Sequence, residues 1–161
     1  MSNIDILMAS YNSEKYIASQ INSILSQTYN DYHIYINDDI STDNTLNILQ
    51  NYKKQYNNIF SISQSSKKQG IKENFSTLMD KSTADYIMFS DHDDHWFDNK
   101  IEITYNEMTA LEKKYSAFAP LLVFTDKTVT DSNLNIINQS HNKCEKLNTK
   151  NISFNKLFFF A

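Results

Sequence analysis

An α/β fold with a mostly parallel central sheet flanked by helices is what this sequence predicts, on three observations. Short apolar runs of strand length recur between residues 4 and 124, and segments with helically spaced apolar residues separate them. Polar turns rich in Asp, Asn and Ser fall directly after the runs. Strand–helix–strand units of this kind close with right-handed crossovers, which leaves the sheet parallel and covered on both faces. Ligands of such sheets sit at the carboxyl ends of the strands, so the loops starting at Ala9, Asn37, Ser65 and Ser90 are the ones to read for function.

The elements follow in order. Ile4 to Ala9 is an apolar run of the length expected for a strand buried on both faces. A turn from Ser10 to Ser13 ends it. Ile17, Ile21, Ile24 and Leu25 then recur at helical spacing, with Asn12 or Ser13 placed to cap that helix and Glu14 to suit its dipole. His33 to Ile36 reads as the second strand. Ser41-Thr42-Asp43 opens the next helix, whose stripe is Leu46, Leu49, Tyr52 and Tyr56. Ile59 to Ile62 is a third strand, Lys67 to Gly70 a loop, and Phe75, Leu78 and Met79 mark one face of a helix. Tyr86 to Phe89 is the fourth strand. A longer helix carries Ile101, Tyr105, Met108, Leu111 and Tyr115 on one side, and the strand Leu121 to Phe124 follows. The segment from Thr128 to Asn151 is polar apart from a short strand-like stretch, Leu134 to Ile137. Leu157 to Ala161 is apolar, and such an end continues into something or docks on something, for example a second copy of the chain. No linker or repeat divides the 161 residues, which are read as one domain.

The charge balance excludes several classes. With 15 basic and 19 acidic side chains the net charge is −4, without the basic face that a nucleic-acid binder needs. Every basic residue is lysine and none arginine, so a phosphate here is gripped by Lys, backbone N–H groups or a metal rather than by a guanidinium fork. Cys144 is the only cysteine, which rules out an internal disulfide and suits a reducing compartment, the cytoplasm by default. The N-terminus has no signal-peptide pattern and no run approaches a membrane span, so any contact with a membrane is peripheral. Gly70 and Pro120 are the single Gly and Pro, so most turns fall to Asn, Asp and Ser.

Four loops carry candidate chemistry. Asp91-His92-Asp93-Asp94 follows the fourth strand directly. Carboxylate oxygens are the ligands that Mg2+ and Mn2+ prefer, and Mg2+ takes one or two of them and completes its shell with water and substrate phosphates. Two apart in an extended loop, Asp91 and Asp93 point to one side, one able to hold the metal and the other a ribose hydroxyl or a metal-bound water. Alone, such a cluster is more often a solvated loop; its place at a strand's carboxyl end is what singles it out. Asp38-Asp39-Ile40-Ser41-Thr42-Asp43 is the second loop, where a carboxylate can accept the imide N–H of uracil or thymine, although a helix cap accounts for Ser41 to Asp43. Ala9 and Tyr11 form the third: a small residue followed by an aromatic ring lets a flat base lie against the backbone. Lys72, near Gly70, is within reach of a phosphate.

Taken together, Asp5 to Asn12, Ser26-Gln27-Thr28-Tyr29, Asp38 to Asp43 and Tyr86 to Trp96 resemble, in order and spacing, the N-terminal half of glycosyltransferase family 2, over roughly residues 4 to 126. The acidic loop followed by Trp96 and Lys100 is most similar to the rhamnosyltransferase-like branch, which uses dTDP-rhamnose or related donors for surface polysaccharide. The resemblance implies a GT-A nucleotide-diphospho-sugar fold. In it the residues matching Ala9, Tyr11 and Asp39 hold the base, Asp91 the ribose and metal region, and Asp93 the metal. It further implies inverting transfer from a UDP- or dTDP-sugar to a saccharide or lipid-linked acceptor, with Mg2+ or Mn2+ at the leaving group. Two features depart from the family pattern. Ile40 stands where the family usually has Gly, a position that a β-branched residue fills where φ stays negative. Family members also continue well past residue 161, into the acceptor loop and the Asp or Glu base, which this chain is expected to lack. His92, Asp94 and His95 lie nearest the metal loop, but none is assigned as a substitute base. Two other classes compete: a non-catalytic nucleotide-sugar-binding module, and an aspartate-based phosphatase, which would want its acidic loop after the first strand.

Overall fold

The computed structural model describes residues 3–116 and 119–146. The chain divides into two compact units, Met1–Tyr105 and Asn106–Ala161.

The first unit is built on four parallel strands: β1 (Ile4–Ser10), β2 (Tyr32–Asp38), β3 (Phe60–Gln64) and β4 (Tyr86–Ser90), in the spatial order β3-β2-β1-β4. The helices between them are α1 (Ile17–Leu25), α2 (Thr45–Gln55) and α3 (Ile71–Met79), and α4 (Lys100–Tyr115) begins after β4. All seven residues of β1 are buried, as an apolar run flanked by a strand on each side must be. Its alternate side chains enter different cores. Ile4, Ile6 and Met8 join Ile17, Ile21 and Ile24 of α1, Leu49 of α2, Trp96 and Ile101. Leu7 and Ala9 pack with Leu78, Phe75 and Tyr35 on the other face. At β4 that second face is open, with Ile87 40% and Phe89 53% exposed.

Strand order sets the position of a site. Connections run outward from β1 through β2 to β3 and then return to β4 on β1's other side, so the order reverses between β1 and β4, where ligands of open α/β sheets lodge. The register brings the carboxyl ends level: Ser10 lies opposite Asp38, and Met8 opposite Ser90.

Several local expectations are corrected. Neither Asn12 nor Ser13 caps α1 through its side chain. The helix begins at Ile17, and the Ser13 carbonyl accepts from the N–H groups of Tyr16 and Ile17. Likewise α2 opens at Thr45 rather than Ser41, with the Asp43 carboxylate accepting the Thr45 N–H. Leu121 to Phe124 forms no strand: no neighbouring strand pairs with it among the described residues, and Leu122 and Phe124 stand 51% and 47% exposed. Met79 does not share the buried face of Phe75 and Leu78 and is 43% exposed.

In the second unit, β5 (Val129–Thr130) and β6 (Ile136–Asn138) make a short antiparallel pair, and α5 (His141–Cys144) follows. Asp131 turns the chain between the two strands by accepting the N–H groups of Asn133 and Asn135. The strand expected at Leu134 to Ile137 is found instead at Ile136–Asn138, with Leu134 in a left-handed turn at φ 63. The apolar end Leu157 to Ala161 lies outside the described residues. Among the described residues no helix is long and apolar enough to cross a membrane.

Candidate functional site

The site begins at the last two residues of β1. The Ser10 carbonyl accepts the backbone N–H of Asp39 at 2.8 Å, and the Ala9 carbonyl lies 3.3 Å from Nδ1 of His92. Consecutive carbonyls of one strand therefore meet the loop leaving β2 and the loop leaving β4. This brings the two acidic segments of the sequence to the same strand end from opposite sides.

The loops after β1 and β2 are stitched to each other. Asn12 donates its N–H to Ser41 Oγ at 2.9 Å, and its side-chain oxygen takes the N–H of Thr42 at 2.8 Å. Ser13 donates to Thr45 Oγ1, Glu14 to the Asp43 carboxylate, and Asn44 to the Glu14 carboxylate. Ser41 and Thr42, which sequence reasoning assigned to a helix cap, hold this neighbouring loop instead. Only Asp43 caps, and it also takes part in the stitching.

Asp38 and Asp39 divide their work. Asp38, with no exposed surface, accepts from the Ser10 hydroxyl, the Ser41 N–H and hydroxyl, and the Gln64 amide. Its carboxylate fastens three segments together and is a structural group. Asp39 is 3% exposed and accepts the backbone N–H groups of Gln69 and Gly70 at 2.7 and 2.8 Å, one on each oxygen. Each carboxylate oxygen has a second lone pair, so Asp39 can accept further donors. Directly after Asp39, Ile40 takes φ 58, a left-handed conformation that contradicts the expectation of negative φ for a β-branched residue. The bonds on either side, Asp39 N–H to Ser10 and Ser41 N–H to Asp38, hold it there.

Tyr11 is 39% exposed, with the Lys68 ammonium 3.9 Å above its ring centroid. Ala9 is 7% exposed at the strand end. Lys72, the lysine singled out from the sequence, is exposed on the first turn of α3. Lys68 went unnoticed, because nothing in the loop's composition marks which of its lysines meets a ring contributed by β1's loop.

The loop after β4 is anchored at its two ends and, between them, meets β1 through His92. Ser90 accepts the side-chain amide of Gln20 at 2.8 Å, and the Trp96 N–H donates to Ser23 Oγ at 3.0 Å, both from buried positions on α1. Trp96 is 3% exposed, with the Lys100 ammonium 5.3 Å from its ring centroid. Gln27 then fixes the chain beyond by donating to the Phe97 carbonyl and accepting the Ile101 N–H. Asp91 and Asp93 are exposed between these anchors, while His92 and Asp94 are partly buried. Among the described residues no three His, Cys, Asp or Glu side chains gather closely enough to make a metal cage of protein groups alone. His95 sits 3.3 Å from the Ser19 hydroxyl and has the surroundings of a surface contact.

Residues 5–161 match the family described as Glycosyl transferase family 2. The chain is 38% identical over 122 residues to the dTDP-rhamnosyl transferase RfbG of Shigella flexneri, covering 70% of this chain and 42% of that protein. It is 30% identical over 105 residues to the UDP-Glc:alpha-D-GlcNAc-diphosphoundecaprenol beta-1,3-glucosyltransferase WfgD of Escherichia coli, covering 65% and 40%. The chain thus spans about two fifths of the length of these relatives. Among solved structures, S. aureus TarS 1-349 in complex with UDP aligns at a TM-score of 0.60 and 20% identity, over 80% of this chain and 41% of that one. At that identity the likeness speaks for the fold, which is of the GT-A type.

Proposed function

The chain belongs to glycosyltransferase family 2, and from that premise we propose that it captures a UDP- or dTDP-sugar for metal-dependent, inverting transfer to a saccharide or lipid-linked acceptor. Residues 1–161 act in this reading as one donor-binding domain. The observation that carries it is the pair of contacts on β1's end, Asp39 N–H to Ser10 and His92 to Ala9, which sets the loop after β2 and the acidic loop after β4 on either side of one strand.

The roles follow from the chemistry of each group. Ala9 leaves room for a flat base against the backbone, and Tyr11 offers it a ring face. Asp39 accepts the imide N–H that distinguishes uracil and thymine from cytosine, using the lone pairs left by Gln69 and Gly70. Asp91 takes the ribose hydroxyls, and Lys72 supplies positive charge for the phosphates. Asp91 and Asp93 would hold Mg2+ or Mn2+. Exposed carboxylates in an anchored loop fit an ion that takes few protein ligands and completes its shell with water and phosphate oxygens. When bound, the ion supplies charge neutralisation for the departing nucleoside diphosphate. In a chain without arginine, that need is greater. Inversion requires a carboxylate base that deprotonates the acceptor hydroxyl on the face opposite the leaving group; none of His92, Asp94 or His95 is assigned that role.

The names of two relatives, a dTDP-rhamnosyl transferase and a glucosyltransferase acting on a diphosphoundecaprenol-linked sugar, support a deoxyhexose or hexose donor and an acceptor carried on lipid, as in surface polysaccharide synthesis. Work on such an acceptor places the protein in the cytoplasm against the inner face of the membrane, and the single cysteine suits that compartment. The alternative, a module that binds nucleotide-sugars without turning them over, shares every contact described.

Calorimetric titration of UDP and dTDP, with and without Mn2+, tests the shared claim. Binding is expected to strengthen at least tenfold with Mn2+, and Asp93→Asn to remove that gain while leaving the thermal midpoint unchanged. Mn2+-enhanced affinity that survives in the variant would defeat the assignment. Release of free UDP or dTDP from a donor sugar in the presence of a lipid-linked saccharide separates enzyme from module.

A further inference from the structure

The loop joining β3 to α3 is pinned to the end of β2 at both of its ends. The Ser65 N–H donates to the Asp38 carbonyl at 2.9 Å and its hydroxyl accepts the Asn37 amide at 2.8 Å, while Gln69 and Gly70 donate their N–H groups to the Asp39 carboxylate. Lys68 lies between these anchors, so its backbone is held while its four-carbon stem is free to swing. The ammonium rests 3.9 Å from the ring centroid of Tyr11, a residue 39% exposed. That is van der Waals distance from the ring face. An ammonium and a flat base cannot occupy one face of one ring.

We propose that Lys68 is a donor-specificity residue, which covers the Tyr11 face in the unliganded protein and moves to the phosphates when a nucleoside diphosphate enters. The inference rests on the reading of the cleft given above and extends it. A nucleoside without phosphates must strip the ammonium from the ring and gives it nothing in return. A nucleoside diphosphate offers two or more anionic oxygens to the same ammonium, and a charge-assisted bond to phosphate outweighs an exposed cation–π contact. The chain contains no arginine, so lysines are its only permanent side-chain cations for that task. Tyr11 and Lys68 thus make the base platform conditional on phosphate: uridine or thymidine is discriminated against, and the diphosphate is not.

Lys68→Met tests this, since it keeps the stem and removes the charge at an exposed position. Uridine and UDP are titrated against the full chain in the presence of Mn2+, by calorimetry or ligand-observed NMR. The variant is expected to bind UDP about tenfold more weakly, through loss of one charge-assisted contact. It should bind uridine as well as the parent or up to about fivefold more tightly, through loss of the competing cation–π contact. The preference for UDP over uridine therefore falls at least tenfold, and Lys68→Arg restores it. An unchanged preference overturns the proposal, whether neither affinity moves or both weaken in parallel as a displaced loop would cause. A parent protein that binds neither ligand fails at the cleft itself and removes the ground for both readings.

Discussion

The loops leaving β1 and β2 and the loop leaving β4 reach the same strand end by different means. The first two are tied to each other by hydrogen bonds between Ser10, Asn12, Ser13 and Glu14 on one side and Asp38, Ser41, Thr42, Asp43, Asn44 and Thr45 on the other. The third is fastened at Ser90 and Trp96 and leaves Asp91 and Asp93 in solvent. The difference teaches how the cleft divides its labour. One wall is pre-shaped and presents fixed hydrogen-bond geometry, which suits a rigid aromatic base. The other presents exposed carboxylates on a fixed frame, which suits an ion whose remaining ligands arrive with the substrate.

The sharpest way to break that comparison is to remove one carboxylate from each wall. Asp38→Ala strands four hydrogen bonds at a position with no exposed surface. It should cost about 3 kcal/mol of stability, with nucleotide binding lost as a consequence. Asp93→Asn removes an exposed carboxylate and should change stability by less than about 0.5 kcal/mol while abolishing the Mn2+-dependent part of binding. Urea denaturation of both variants decides it. Equal stability losses would mean that the acidic loop, too, is part of the scaffold.

How much of this the sequence disclosed depends on the range over which each signal acts. The alternation of apolar runs and helical stripes is local, and it gave β1 to β4 and α1 to α4 within a few residues, as well as the acidic segments at strand ends. Leu121 to Phe124 misled because an apolar run records a wish for burial, not the existence of a partner strand. The structural role of Asp38 was not legible, because its partners Ser10 and Gln64 lie 28 and 26 residues away and meet it only through strand order. Lys68 was missed for the same reason. The cap at Ser41 to Asp43 was legible in type but wrong in target, since these residues reach Asn12 and Glu14 on the adjacent loop.

The stitched wall also contains its own strain, and relieving it gives an effect of opposite sign. Ile40 at φ 58 carries the penalty of a Cβ in the left-handed region, about 1–2 kcal/mol. Ile40→Gly removes that penalty, offset in part by the greater freedom of glycine in the unfolded chain, about 0.4–1 kcal/mol. Ile40 is 36% exposed, so Ile40→Gly and Ile40→Ala both give up the packing of its covered part, and only the glycine also sheds the strained Cβ. The glycine variant should therefore be about 0.5–1 kcal/mol more stable than the alanine variant in denaturant titration. Equal stability of the two would show that the flanking bonds hold this position without strain.

The smallest effect is the acid response of the same corner. Burial works against the charge of Asp43, but hydrogen bonds from the Thr45 hydroxyl and from the backbone N–H groups of Glu14, Thr45 and Asp43 itself prevail and hold its carboxyl below the ordinary 3.8. A group whose folded pKa is depressed adds stability that is fully present above its unfolded value and disappears as pH falls through the folded one. Asp43→Asn keeps one acceptor and loses the charge, so the variant should be slightly less stable than the parent at pH 6. The gap should close as pH falls below 3.8. Denaturation midpoints of the two proteins between pH 6 and pH 2.5, about the range over which a carboxylate titrates, measure that gap. A gap that stays constant would mean that Asp43 acts through the shape of its side chain, and that the stitching of this wall owes nothing to charge.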